Sequence, residues 1–156
     1  MKPGDLVFIR GTEGVAGPIK KITRSPYTHI AGLAVDDHLL ESQAMRKIGY
    51  EPIDTYRGVA DVYSCTQLTD DQRRNIVDAA QEWLGVRYDY LLFGSLAVRH
   101  IFGRTVPVYA SRRRHICTTL WVDAYRSVGI DLCPGIDYPT PGELASSPLL
   151  ELVGSY

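Results

Sequence analysis

His115-Ile116-Cys117-Thr118-Thr119-Leu120-Trp121-Val122-Asp123-Ala124-Tyr125 reads as the opening of a helix with a cysteine in its first turn. Apolar residues follow Cys117 at i+3, i+4, i+7 and i+11, namely Leu120, Trp121, Ala124 and Val128. That spacing marks one helical face, so the thiol heads a stripe that turns toward the core or a cleft in it. Gly129 supplies the stop. A helix N-terminus carries partial positive charge and stabilises a thiolate. Arg112, Arg113, Arg114 and His115 add positive potential just upstream. A buried cysteine that merely packs well would give the same stripe, and composition alone favours that plainer reading. A histidine and a glutamate elsewhere in the chain shift the balance.

Working outward, the 156 residues suit one domain, 1–156, with a sizeable core. Hydrophobic content of 45% and charged content of 22% are ordinary for a globular chain. The net charge of −1 gives no general pull toward nucleic acid or anionic membrane. Three cysteines without paired spacing argue against a disulfide framework and fit a reducing compartment. There is no CxxC or HExxH, so no zinc site is expected, and no other metal or cofactor is called for. The N-terminus lacks a signal-like apolar core and no run is long enough to span a bilayer. The expectation is a cytoplasmic protein without stable membrane insertion, with export by another route left open.

Leu6 to Arg10 is a strand candidate entered from a Pro3-Gly4-Asp5 turn. Gly11 to Pro18 matches no phosphate-binding pattern and reads as a flexible connection. Ser25 to Val35 and His38 to Gln43 are strands joined at Asp36-Asp37, and Gly58 to Cys65 is a fourth. Thr69 and Gln72 form a capping box for a helix running to about Leu84, ended by Gly85. Leu91 to Ile101 is an apolar segment with a basic end: either an amphipathic helix walling a groove or, at least as readily, core. The stretch 102–114 is an irregular connection, and Pro148 to Val153 a closing strand. This order predicts an α+β domain with a mostly antiparallel sheet packed against the cysteine-bearing helix and a second long helix.

A cysteine nucleophile needs a base, and the base an orienting group. Of four histidines, His115 is too close in sequence to Cys117, His38 sits beside a turn and His100 lies in the apolar segment. His29 stands in the middle of an apolar strand, and Glu41 sits in the next strand within an apolar run. Strand alternation puts Tyr27 on the His29 face. A two-residue turn at Asp36-Asp37 leaves Glu41 on the opposite face, whereas a three-residue turn brings Glu41 and Gln43 to it. The residues alone leave both registers open, with Gln43 as fallback.

These segments resemble the circularly permuted branch of the NlpC-type papain-like hydrolases, the YiiX-like proteins. The resemblance runs through Gly4-Asp5-Leu6-Val7-Phe8, Ser25-Pro26-Tyr27-Thr28-His29, Leu40-Glu41-Ser42, Leu84 to Tyr90, Ile116 to Trp121 and Pro139 to Leu149. It covers most of the chain, and its histidine, acid, cysteine order is the family's. Thr118-Thr119 stands where Ser-Glu is common, and Ile116 where a tyrosine is. The resemblance implies a permuted papain-like fold, catalytic Cys117, His29 and Glu41, and therefore an odd-length turn after Val35. Tyr27, on the expected His29 face, either supplies a phenolic donor to substrate or packs beside the cleft, and Thr118 is a second candidate substrate contact. The implied activity is a thiol hydrolase, an amidase or peptidase that cleaves small or cell-wall (peptidoglycan) peptides through a thioester. The alternatives are a lipid acyl hydrolase or acyltransferase on the same fold, or a binding module with an inert cysteine. The partner is a small peptide or acyl substrate, not nucleic acid.

Overall fold

Leu6–Arg10 (β1) is inaccessible along nearly its whole length, as befits a strand with both faces covered. In the computed structural model, which describes residues 1–11, 25–103, 105–111 and 113–156, β1 lies inside a six-stranded antiparallel sheet. The other strands are Tyr27–Val35 (β2), His38–Glu41 (β3), Gly49–Pro52 (β4), Ala60–Ser64 (β5) and Glu151–Ser155 (β6). Their spatial order is β4-β3-β2-β1-β5-β6. Among the described residues the helices are Asp70–Gln81 (α1), Tyr90–Phe102 (α2), Cys117–Ser127 (α3) and Pro141–Ala145 (α4). The expected α+β class and antiparallel sheet are both present. The Gly11 to Pro18 connection lies mostly outside the described residues.

One face of the sheet carries Leu6, Phe8, Ile30 and Leu40, and α1 and α3 cover it with Ile76, Ala80, Leu120, Trp121 and Tyr125. The opposite face, with Val7, Ala31, Leu33 and Val62, is closed by Ile53 and Tyr56 from the short 3-10 turn Ile53–Tyr56. The Thr69 capping box holds as expected: its hydroxyl accepts the Gln72 N–H at 3.2 Å and the Gln72 side chain accepts the Thr69 N–H at 3.0 Å.

Trp121 fixes where the cysteine helix lies. Its indole Nε1 donates to the Leu40 carbonyl at 3.1 Å, and its ring sits directly over Gly32. A Cβ on Gly32 would fall 2.3 Å from the Trp121 ring. Gly32→Ala should therefore push α3 off the sheet and cost about 1–3 kcal/mol or more by overpacking, read as a lowered urea midpoint. An unchanged midpoint would show that α3 is not seated on β2 in this way.

Two strand bulges set the faces. Leu33 pairs with Leu39 and Val35 with His38, so Ala34 is an extra residue. The turn is thus the two-residue Asp36-Asp37, with Asp36 at φ +43°, and not the odd-length turn expected. The bulge makes the one-residue shift instead, and Glu41 still comes to the His29 face. A second bulge at Thr28 separates the pairs Ile9–His29 and Arg10–Tyr27. It turns Tyr27 to the Phe8 face, so the expected shared face of Tyr27 and His29 is overturned: the extra residue breaks the alternation.

Candidate active site

Cys117 is the first residue of α3. One helical turn separates it from Trp121, a rise of about 6 Å, close to the length of two strand residues. With Trp121 over Gly32, the thiol therefore falls beside Ile30. The Ile30 N–H donates to the sulfur, as does the N–H of Thr118. Leu40 pairs with Gly32, so Ile30 lies one step past the end of β3. Backbone N–H groups lie in the plane of a sheet. The sulfur thus approaches the edge of β2 rather than its face, and from there it meets the imidazole of His29, whose side chain leaves on the far side.

His29 is hydrogen-bonded to the Cys117 thiol on one side. On the other, its Nε2 lies 2.7 Å from Glu41 Oε2. The same Glu41 oxygen accepts the Tyr56 hydroxyl at 2.6 Å. Sequence reasoning missed Tyr56: it sits in a single 3-10 turn with no periodic signal, 15 residues after its partner. Tyr56→Phe should leave Glu41 with one donor fewer and less firmly placed. The measurable result is a fall in kcat of about tenfold with KM nearly unchanged. A fall in stability with kcat intact would make Tyr56 purely structural.

Charge follows from this geometry. Burial disfavours a charged imidazole, but hydrogen bonds and charge from Cys117 and Glu41 outweigh it and push His29 up to about 10. Burial likewise opposes a thiolate at Cys117. The imidazolium, with the Ile30 and Thr118 N–H groups, prevails and holds the thiol below its usual range. Burial opposes ionisation of Glu41 too, yet the His29 contact and the Tyr56 hydroxyl keep it a carboxylate below the ordinary value. The other two cysteines go the opposite way: burial pushes Cys65 up, and Cys133 to about 11. All three thiols are free and buried, so environment and not exposure distinguishes Cys117.

The N-cap of α3 is Ile116, which has no side-chain oxygen to cap the first turn. Isoleucine is a poor N-cap, typically worth about 1 kcal/mol less than serine or aspartate. The uncapped, electropositive end is left facing the sulfur. Ser42 Oγ donates to the His115 carbonyl at 2.9 Å and ties the approach to Cys117 to the exit of β3.

The remaining expected site residues divide. Thr118 is buried beside the sulfur, and its hydroxyl has no hydrogen-bond partner. Tyr27 is not beside the imidazole: its hydroxyl donates to Asp61 at 2.8 Å and lies 3.1 Å from the Tyr63 hydroxyl. It lines a cavity of about 570 Å³ with Ser25, Tyr63 and Glu143. Gln43 is half-buried, and Glu41 holds the orienting position in its place. His115 is turned away from the thiol: it stacks edge-on against Trp83 at 4.1 Å and faces a second cavity of about 490 Å³ with Asp123 and Tyr138.

No known sequence family matches this chain, and no curated protein is significantly similar to it in sequence. Its fold is that of a solved structure, the metalloprotein YiiX from Escherichia coli O157:H7, with a TM-score of 0.76 at 17% identity. The match covers 99% of this chain and 97% of that one. The fold is therefore YiiX-like. Among the described residues no three His, Cys, Asp or Glu groups are placed to hold a metal ion.

Proposed function

We propose that this chain is a cysteine hydrolase with a permuted papain-like fold, one domain spanning 1–156, acting through Cys117, His29 and Glu41. The observation that carries the reading is one imidazole held between a thiol and a buried carboxylate. His29 takes the Cys117 proton, and Glu41 and Tyr56 hold the ring and support its charge. The thiolate attacks the substrate's acyl carbon. The resulting oxyanion is received by N–H groups at the start of α3, with the Cys117 N–H as the natural donor. The imidazolium gives its proton to the leaving amine, the C–N bond breaks and a thioester remains. Water, deprotonated by His29, attacks the thioester, releases the carboxylic acid and restores the thiol.

The substrate class is a small amide, including cell-wall-type peptides. Thr118, whose N–H acts on the sulfur and whose buried hydroxyl is unsatisfied, is the nearer contact, and Tyr27 in its cavity the more distant one. One observation favours a second reading, hydrolysis or transfer of lipid acyl groups: the outward face of α2 is almost wholly apolar, and the one residue it buries, Leu92, packs on Ile116, the neighbour of Cys117. The test is turnover of γ-glutamyl-type peptides against short-chain thioesters and phospholipids, with trapping of the acyl-enzyme by mass spectrometry. Cys117→Ala should lose the trapped adduct and about 10⁴-fold or more in turnover. Turnover surviving that change would end the proposal.

A further inference from the structure

The face of α3 turned away from Cys117 fronts a cavity that the proposed chemistry does not use. At about 100° per residue, Thr119, Asp123 and Arg126 fall about 180–240° around the helix from the thiol. Together with His115, Trp83 and Tyr138 they line a space of about 490 Å³. That volume suits a small molecule, and a lining of aromatic walls with a few polar groups is typical of ligand sites. His115 is the group left unexplained. It is 6% exposed, and neither ring nitrogen has a hydrogen-bond partner among the described residues. Buried polar groups in that state are rare and call for a partner. Burial pushes the imidazole below its ordinary value, so at neutral pH the ring is uncharged and one nitrogen is an acceptor. Its Nδ1 lies 3.6 Å from Asp123 Oδ2, too far for the ring to donate. Asp123 is half exposed, so its carboxylate can swing to admit a donor beside the ring.

The charged groups of the lining divide into spent and unspent. Arg126 is spent: its guanidinium donates to Asp131 Oδ1 and to the Ile136 carbonyl, both at 3.2 Å. It faces only the other oxygen of Asp123, Oδ1, at 3.7 Å. Arg114 and Asp137 line the same cavity from exposed positions, and neither has a hydrogen bond or ion pair among the described residues. An imidazole acceptor and two carboxylates call for a cation with several N–H donors, and a primary ammonium has three. An unpaired guanidinium calls for a carboxylate. We infer that this cavity binds a zwitterionic α-amino acid, with its ammonium on His115, Asp123 and Asp137 and its carboxylate on Arg114. Trp83, Tyr138 and Leu92 offer the ligand's own side chain an apolar wall, which fits leucine or phenylalanine better than a charged amino acid. A bare anion would meet two carboxylates, and a bare amine would leave Arg114 unmet.

A free amino acid has no amide for a thiol to attack, and the cavity lies across α3 from Cys117, so the test is separable from that of the hydrolase. The full chain, with Cys117 alkylated, is titrated calorimetrically with leucine and phenylalanine. Each is compared with its N-acetyl derivative, which lacks the ammonium, and its amide, which lacks the carboxylate. At least one free amino acid should bind one to one, as it does to the unmodified chain, and both of its derivatives about tenfold or more weaker. Arg114→Gln and Asp137→Asn, at exposed positions where folding is not at stake, should each weaken binding about tenfold. Arg114→Gln should also erase the preference for the acid over the amide. His115→Phe keeps a ring against Trp83 and should lose binding. Binding of neither amino acid, derivatives that bind as well as the parent, or binding indifferent to Arg114→Gln and Asp137→Asn would overturn the inference. Binding abolished by alkylation of Cys117 would place the ligand at the thiol and overturn it too.

Discussion

Iodoacetamide at about pH 7 should alkylate Cys117 and spare Cys65 and Cys133 in the folded protein, and His29→Ala should slow that reaction about tenfold. An ordinary thiol, with a pKa of about 8.5, is only a few per cent thiolate at neutral pH. Pairing with the imidazolium holds the Cys117 thiol below its usual range and raises the thiolate fraction at neutral pH, a gain in the reacting species. A thiolate of lower basicity is a weaker nucleophile, which returns part of that gain and leaves about tenfold. In His29→Ala the opposing effect of burial is left with only the backbone N–H donors against it, and the alkylation profile should move to higher pH. Hydrolysis should show two limbs. Activity rises with pH as Cys117 ionises, below the normal thiol range. It falls again as the imidazolium that protonates the leaving group is lost, near pH 10 and not near the ordinary histidine value of about 6.5. An alkaline limb near the ordinary value would mean that His29 is not paired with a thiolate. Equal labelling of Cys65, Cys117 and Cys133 would remove the case for a privileged cysteine.

What was legible in the sequence was local or periodic. The stripe behind Cys117 is buried as its spacing implied, with Leu120, Trp121 and Ala124 all inaccessible. The Thr69 and Gln72 box starts α1 because capping depends on residues three apart. Features set by pairing between strands were not legible. The bulges at Thr28 and Ala34 carry no glycine or proline to mark them, yet they decide which face Tyr27 and Glu41 occupy. Strand β4 is an edge strand with no fully buried residue, so Gly49 to Pro52 lacks the apolar alternation that would reveal it. Tyr56 joins the site through a turn whose position only the fold determines. The 91–101 segment is helical, as one alternative had it. Its apolar face points outward instead of into core or groove, because periodicity places residues on a helix but does not say which way the helix is turned.

Asp5→Ala should be the most damaging change away from the proposed site, costing about 3–5 kcal/mol in urea unfolding. The Gly4 to Phe8 segment enters the family resemblance as an opening strand motif, and its aspartate has a structural task. Asp5 is 2% exposed and accepts from Arg73 Nη1 at 2.8 Å and Ser64 Oγ at 2.6 Å. Arg73, 5% exposed on α1, also donates to the carbonyls of Pro3 and Cys65. The pair therefore clamps the start of β1 to α1 and the end of β5 in the same core that seats the cysteine helix. Removing the carboxylate leaves a guanidinium buried without its counter-charge, which is dearer than losing the ion pair as a whole. Against a total stability of about 5–15 kcal/mol, that approaches unfolding. The comparison that isolates the cause is Asp5→Leu combined with Arg73→Met. If the stranded charge is responsible, the double variant recovers most of what Asp5→Ala loses, because no ion remains in the core. If the double variant is as unstable as the single one, the hydrogen bonds to Pro3, Ser64 and Cys65 hold β1 in place and the charge pair does not.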